Sequence, residues 1–152
     1  MLLKSQYIPV VATVGVGEDG GYYNINADVA AGYVAAAIGA QKIVYLTDVD
    51  GVYMDFSDKS TLISNMSLRE MEEMLASGTV DKGMIPKLES CCYALRHGVF
   101  RSHVINGKTP HSLLIELLTD KGIGTTMHET EEALEYDSHP LGVLASRLAV
   151  NN

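Results

Sequence analysis

Apolar positions in this chain follow two alternating patterns, short continuous runs and stripes spaced three or four apart. These are the marks of buried strands and amphipathic helices. Residues 7–14 (Tyr-Ile-Pro-Val-Val-Ala-Thr-Val) predict a buried strand. The glycine-rich stretch 15–21 is a turn, and Tyr22-Tyr23-Asn24-Ile25 returns from it as a second short strand. Asn26 caps a helix over 27–40, favoured by its alanines and by Asp28 in the first turn. Residues 42–47 (Lys-Ile-Val-Tyr-Leu-Thr) form the clearest strand, closed by Asp48-Val49-Asp50-Gly51. A short extended piece, 52–55, leads into a polar loop.

Ser67 and Glu70 are spaced as a capping box. The helix they open carries Leu68, Met71, Met74 and Leu75 on one stripe and stops near Gly78. A further helix fits 85–97, with Pro86 in its first turn and Gly98 as its stop. Residues 99–105 read as a strand, 110–118 as a helix and 123–127 as a last short strand. Strands alternating with helices predict an α/β fold with a mostly parallel sheet.

The 152 residues are one domain's worth, and 47% hydrophobic with 20% charged residues is a globular mix. A net charge of -8 argues against a broad nucleic-acid interface, which needs a basic face, but leaves room for a nucleotide in a local positive pocket. The most apolar stretch, 27–40, is too short to span a membrane and carries Asp28, and no apolar leader is visible. Cys91 and Cys92 are adjacent and cannot staple distant segments, which places the chain in a reducing compartment, the cytoplasm.

Three motifs invite misreading. Gly15, Gly17 and Gly20 match a dinucleotide fingerprint, but Glu18 and Asp19 occupy the place of a pyrophosphate, and no helix follows. A hairpin turn fits better. Gly107-Lys108-Thr109 lacks the earlier glycine of a P-loop and reads as a strand-to-helix turn. Asp48, Asp50 and Gly51 sit at the wrong spacing for a calcium loop, and the five histidines share no metal-ligand spacing with the cysteines.

Three polar constellations remain. Asn24-Ile25-Asn26-Ala27-Asp28 gathers amides and a carboxylate at a strand-to-helix junction, where they either meet an anionic or amide-bearing ligand or simply cap the helix. Leu46-Thr47-Asp48-Val49-Asp50-Gly51-Val52-Tyr53 ends a strand, the place where open α/β sheets bind ligands, and is equally a plain turn by spacing alone. Lys82-Gly83-Met84-Ile85-Pro86-Lys87 sets Lys87 in a helix's first turn, against the dipole. A bound phosphate would make that position favourable, and a solvated lysine is the plain alternative.

These three blocks, followed in order by Pro110-His111-Ser112-Leu113-Leu114-Ile115-Glu116-Leu117 and Lys121-Gly122-Ile123-Gly124-Thr125, resemble the C-terminal half of acetylglutamate kinase, of the amino-acid kinase family. The resemblance runs from Tyr7 to Met127. It implies a three-layer sandwich, a truncated half of the carbamate-kinase-like fold, with residues 1–127 as the ATP-binding part and 128–152 as an acidic, then apolar tail. It also implies phosphoryl transfer from ATP, with Mg²⁺ carried by the nucleotide, to the side-chain carboxylate of N-acetyl-L-glutamate, a step of arginine biosynthesis. Asp28 and Lys87 would then be catalytic, Asp28 organising lysines and Lys87 neutralising the phosphoryl group in flight. Asn24 and Asn26 would bind the acyl-amino acid. Thr47, Asp48, Val49, Asp50, Gly51, Val52, Tyr53, Thr79, Val80, Asp81, Gly83 and Met84 would line the ATP site.

A carboxylate acceptor is ionised near neutral pH and needs no general base, so the lack of a catalytic His or Cys motif fits this chemistry. The family's N-terminal half, with further glycine loops, a second lysine and an arginine, has no counterpart here. The acetylglutamate site is therefore expected to be incomplete and the polypeptide inactive alone. A sheet short of neighbours is expected to self-associate or to pair with a separate N-terminal half. The alternative is a non-catalytic nucleotide-binding or regulatory module that pairs with a partner kinase chain.

Overall fold

In the computed structural model, which describes residues 2–119 and 122–129, the two β-rich runs of six residues find each other. Lys42–Thr47 (β3) and Arg101–Asn106 (β5) pair in parallel, Lys42 opposite Arg101 and Thr47 opposite Asn106. Thr125–His128 (β6) joins β5 antiparallel, and Asn65–Ser67 (β4) joins β6 in parallel, giving the order β3-β5-β6-β4. Val14–Val16 (β1) and Tyr22–Asn24 (β2) form a separate antiparallel hairpin. Its tip is latched by Asp19, which accepts bonds from the Gly21 amide and the Tyr23 hydroxyl.

Among the described residues four α-helices cover the sheet: Ala27–Ala37 (α1), Leu68–Ser77 (α2), Ile85–Arg96 (α3) and Ser112–Leu118 (α4). Side-chain alternation along β5 assigns them to layers. Ser102 and Val104 face α3, in one core with Tyr45, Met66, Leu88, Cys91 and Met127, whereas His103 faces Glu116 of α4. The result is three layers around a mostly parallel sheet, as the alternation of elements and the resemblance predict. The capping box at α2 is formed in both directions: Ser67 Oγ accepts from the Glu70 amide, and Glu70 Oε2 accepts from the Ser67 amide.

The structure corrects several boundaries. Residues 7–13 form no strand: Ile8 and Val10 are 90% and 95% exposed, and only Val14 enters β1. Pro9 lacks a donor, and no described strand lies alongside to pair with the run. Helix α1 ends at Ala37, because Gly39 takes φ +63° and turns the chain out three residues before the expected end. Helix α4 starts at Ser112, after His111 in a left-handed conformation. Strand β6 starts at Thr125 and extends through a buried His128. Strand β4, with one apolar residue in three, escapes the hydrophobic pattern altogether. The expected tail lies, from residue 130 on, outside the described residues. Among the described residues no helix is long and apolar enough to cross a membrane.

Burial is one-sided. Tyr7, Val11, Val16, Tyr22, Tyr33 and Ile38 are all more than half exposed on the N-terminal segment, the hairpin and α1. That is a larger run of unburied apolar side chains than an isolated domain ordinarily shows.

Candidate functional site

The C-terminal end of β3 carries the chain into the turn Thr47 to Tyr53. The turn is held by Thr125 of β6, two strands along the sheet. The Val52 amide donates to Thr125 Oγ1 at 2.8 Å, and that hydroxyl donates to the Ile63 carbonyl at 2.6 Å. Gly51 is required by this approach, since a Cβ there would lie 2.5 Å from Thr125 Oγ1. Opposite the turn, α2 ends and the chain doubles back through Thr79, Val80 and Asp81 into α3. Asp81 shapes this entry: its Oδ1 accepts from the Gly83 amide, and its carbonyl from the amides of Met84 and Ile85. Helix α3 then begins with no side-chain cap and with Pro86 in the first turn, so its positive end is left toward the gap.

Between these walls lies a cavity of about 350 Å³. It is lined by Thr47, Asp48, Val49, Gly51, Val52, Tyr53, Thr79, Val80, Asp81, Gly83, Met84 and Lys87, so the second and third sequence constellations meet at one place. Asp50 does not line it. Its carboxylate accepts from Asn106 Nδ2 at 2.8 Å and Tyr53 Oη at 3.0 Å, bonds that hold its pKa below the usual carboxylate value. Phe56 and Met74 also line the cavity. By pattern Met74 belongs to a core stripe and Phe56 to a polar loop, and no local signal marks either as a wall. Tyr53 and Phe56 meet edge to face with centroids 6.0 Å apart, and Lys59 Nζ lies 4.4 and 3.8 Å from their centroids. Among the described residues the cavity thus has an aromatic and thioether side, two carboxylates (Asp48 and Asp81) and one ammonium, that of Lys87.

Lys87 Nζ donates to Asp28 Oδ2 at 2.9 Å, with the two side chains 18% and 23% exposed. The residues are 59 apart in the chain, and their pairing joins the first sequence constellation to the third. Asn26 makes this possible by capping α1: its Oδ1 accepts from the amides of Asp28 and Val29 at 2.9 and 3.2 Å. The ion pair also accounts for a lysine at a helix start, because Asp28 offsets the unfavourable dipole. Asp28 stands behind Lys87 and does not itself line the cavity. Asn24 lies exposed on β2, outside the cavity lining, and the Asn26 carbonyl oxygen is committed to the cap.

Among the described residues no histidine or cysteine lines the cavity. Cys91 and Cys92 are buried in α3, and burial pushes both thiols up, Cys92 to about 11, which leaves them protonated and unreactive. Among the described residues no group of three or more His, Cys, Asp or Glu gathers as a metal site. The cavity can therefore take a ligand with an apolar ring at one end and a negative charge at the other, met by the Lys87 ammonium and the uncapped start of α3.

The profile of the amino acid kinase family matches residues 1–106 of the chain. Acetylglutamate kinase of Thermoanaerobacter sp. is 51% identical over 125 residues, covering 82% of this chain and 42% of that protein. N-acetylglutamate synthase from Neisseria gonorrhoeae, solved with coenzyme A and L-arginine, superposes with a TM-score of 0.70 at 31% identity, over 78% of this chain and 27% of that one. Carbamate kinase from Giardia lamblia bound to AMP-PNP superposes with a TM-score of 0.60 at 18% identity, over 75% of this chain and 36% of that one, a likeness of fold. The chain spans less than half the length of the curated relatives it matches.

Proposed function

Because the chain belongs to the amino acid kinase family, we propose that it carries the nucleotide-binding part of an acetylglutamate-kinase-like phosphotransferase. The observation that carries the proposal is the convergence of the Lys87–Asp28 pair on a cavity walled by the strand-end turn and the entry to α3. Adenine and ribose would occupy the side formed by Tyr53, Phe56, Met74 and Val80, and the phosphates would extend toward Lys87 and the start of α3. The acceptor would be the side-chain carboxylate of N-acetyl-L-glutamate. One of its oxygens attacks the terminal phosphorus as the bond from that phosphorus to the bridging oxygen breaks, releasing ADP with no net proton transfer. Lys87 spreads the negative charge on the moving phosphoryl oxygens, and Asp28 holds the ammonium in place. Mg²⁺ belongs to this reading as part of the nucleotide; it supplies charge neutralisation on the phosphates. Asn24 and the amide NH₂ of Asn26 are the groups left to contact the acyl-amino acid. The buried, unpaired thiols fit work in the reducing cytoplasm.

Calorimetry of the chain with Mg-ADP tests this directly. Saturable binding is expected, with a Kd within the roughly 1 μM–1 mM range usual for enzyme substrates. Ligand at 100-fold over Kd is expected to add about 2.7 kcal/mol of stability, or roughly 5–10 °C in Tm. No heat and no thermal shift would remove the proposal.

A second reading, a non-catalytic nucleotide-binding or regulatory module that pairs with a partner kinase chain, draws on the one-sided burial of the chain. Both readings give the exposed apolar residues of the N-terminal segment, hairpin and α1 something to cover. We expect the purified chain to scatter light at a mass above its monomer value of 16.4 kDa and to return toward that value only at high dilution. A clean monomer at high concentration would count against an associating face.

A further inference from the structure

We infer that Ser90, anchored by Tyr45, is a positioning residue for the Lys87–Asp28 pair, an inference that rests on the reading of that pair as the group meeting the transferred phosphoryl. Ser90 lies three residues after Lys87 on α3 and so shares its face. The two side chains take hold of the same residue at two points. Lys87 Nζ donates to the Asp28 carboxylate at 2.9 Å, and Ser90 Oγ donates to the Asp28 backbone carbonyl at 2.6 Å. One bond fixes the rotation of the carboxylate, and the other fixes the first turn of α1 from which it projects.

The direction of the second bond is set by chemistry. A serine hydroxyl has one proton, and here it goes to a carbonyl, which can only accept. The remaining contact, with Tyr45 Oη at 2.7 Å, must then be donated by the phenol. Burial pushes the Tyr45 phenol further above its ordinary value, so that proton stays on. The chain of donors therefore runs one way, from Tyr45 through Ser90 to Asp28. Ser90 is 4% exposed and Tyr45 5%, so water does not compete for these bonds.

Gly32, one turn along α1 from Asp28, keeps the helices close enough for this contact. A Cβ there would overlap Ser90 Oγ and lie 3.0 Å from the Ser90 carbonyl oxygen. Tyr45 is on β3, two residues before Thr47, where the cavity wall begins. Ser90 thus joins the strand that carries the nucleotide turn, the helix that carries the ammonium and the helix that carries its carboxylate. Small misplacements of a charge-stabilising group have large catalytic effects, on the order of 10²-fold for 1 Å.

The test is calorimetry on the full chain with Mg-ADP and with the Mg complex of the β,γ-imido analogue of ATP, read as the ratio of the two dissociation constants. Lys87→Ala is expected to shift that ratio against the analogue by roughly ten-fold, and Ser90→Ala by nearly as much, with Mg-ADP affinity falling too but less than that of the analogue. Tyr45→Phe, which removes a single oxygen and keeps the ring, is expected to shift it about three-fold and stands in should Ser90→Ala fail to fold. On a Lys87→Ala background, Ser90→Ala is expected to leave the ratio unchanged, because its effect passes through the ammonium. A role confined to stability would lower Tm and weaken both nucleotides by one common factor, and that result, or an unchanged ratio in both single variants, overturns the inference. If wild type binds neither nucleotide, or if Lys87→Ala leaves the ratio alone, the underlying reading of the pair fails and takes this one with it.

Discussion

Lys87→Met is expected to reduce phosphoryl transfer by about 10²–10³-fold in the chain supplied with a substrate-side partner, the range seen when one preorganised charge-stabilising group is removed from a site. Methionine keeps most of the aliphatic stem, so the packing at the start of α3 is retained while the charge is lost. Among the described residues Lys87 is the one cationic side chain lining the cavity, and no neighbour there replaces it. Lys82, two residues before Met84, is exposed and outside the lining. The same change also leaves the Asp28 carboxylate, 23% exposed, without its counter-charge. Ground-state binding of Mg-ADP is expected to weaken far less than turnover falls, because the ring contacts and the α3 start are untouched. Steady-state kinetics beside calorimetry give both numbers. A kcat within ten-fold of wild type would show that Lys87 is not the group that meets the developing charge.

The second large effect concerns stability and comes from the opposite face of the sheet. Glu116 on α4 is almost fully buried and is surrounded by donors. One carboxylate oxygen accepts from His103 Nδ1 at 2.8 Å and Thr126 Oγ1 at 3.2 Å, the other from the amides of Ile123 and Gly124 at 2.7 and 3.1 Å. Burial alone would raise its pKa, but the bond from His103 and those from the two amides outweigh it and bring the carboxyl down to about 2. Glu116→Leu would leave the two amides without their acceptor, and His103 and Thr126 with only their 3.3 Å contact to each other. The expected loss is about 3–5 kcal/mol, the range for breaking a buried charged network by removing one partner, or roughly 6–20 °C in Tm for a domain of this size.

Glu116 also gives the pH dependence a definite sign. Its folded pKa lies below the ordinary value of 4.5, so its contribution is complete above that value and is lost as pH falls from there toward about 2. Denaturant midpoints at pH 6 and pH 3 are expected to differ more in wild type than in Glu116→Gln, by on the order of 2 kcal/mol. Equal pH slopes in the two proteins would mean that the carboxylate is not held ionised by this cage.

Features set by neighbours along the chain are legible in the residues themselves. Ser67 and Glu70 are three apart, and their reciprocal bonds are a local matter, as are the Asn26 cap and the Pro86 start. The turn 47–53 and the entry 81–87 are recognisable by their residues, but only the fold brings them to one cavity. Asp50 belongs to the block that forms the strand-end turn but turns its carboxylate to Asn106 and Tyr53 and not to the cavity, and Asn24 lies on β2 outside that lining, positions that only the folded chain reveals. The apolar run 7–14 misleads because hydrophobicity reports a preference for burial and carries no information on whether a partner strand is present. Met74 is legible as apolar but not as a cavity wall, since a helix stripe does not say which part of it faces a neighbour and which faces a gap. Glu116 stands in such a block with no role of its own, because nothing local shows that an acidic side chain will be enclosed by donors from other segments.

The tie between the Gly51 turn and Thr125 sets an order of events on the ribosome. The Val52 amide and the threonine that receives it are 73 residues apart. At about 5–20 residues per second, translation delivers the threonine roughly 4–15 s after the turn has been made. During that interval the loop at the end of β3 has no hydroxyl to fasten it, and a nascent chain cut short before β6 would carry the 47–53 turn without its clasp. A ribosome-stalled series should therefore show nucleotide-dependent protease protection only once β6 has cleared the exit tunnel.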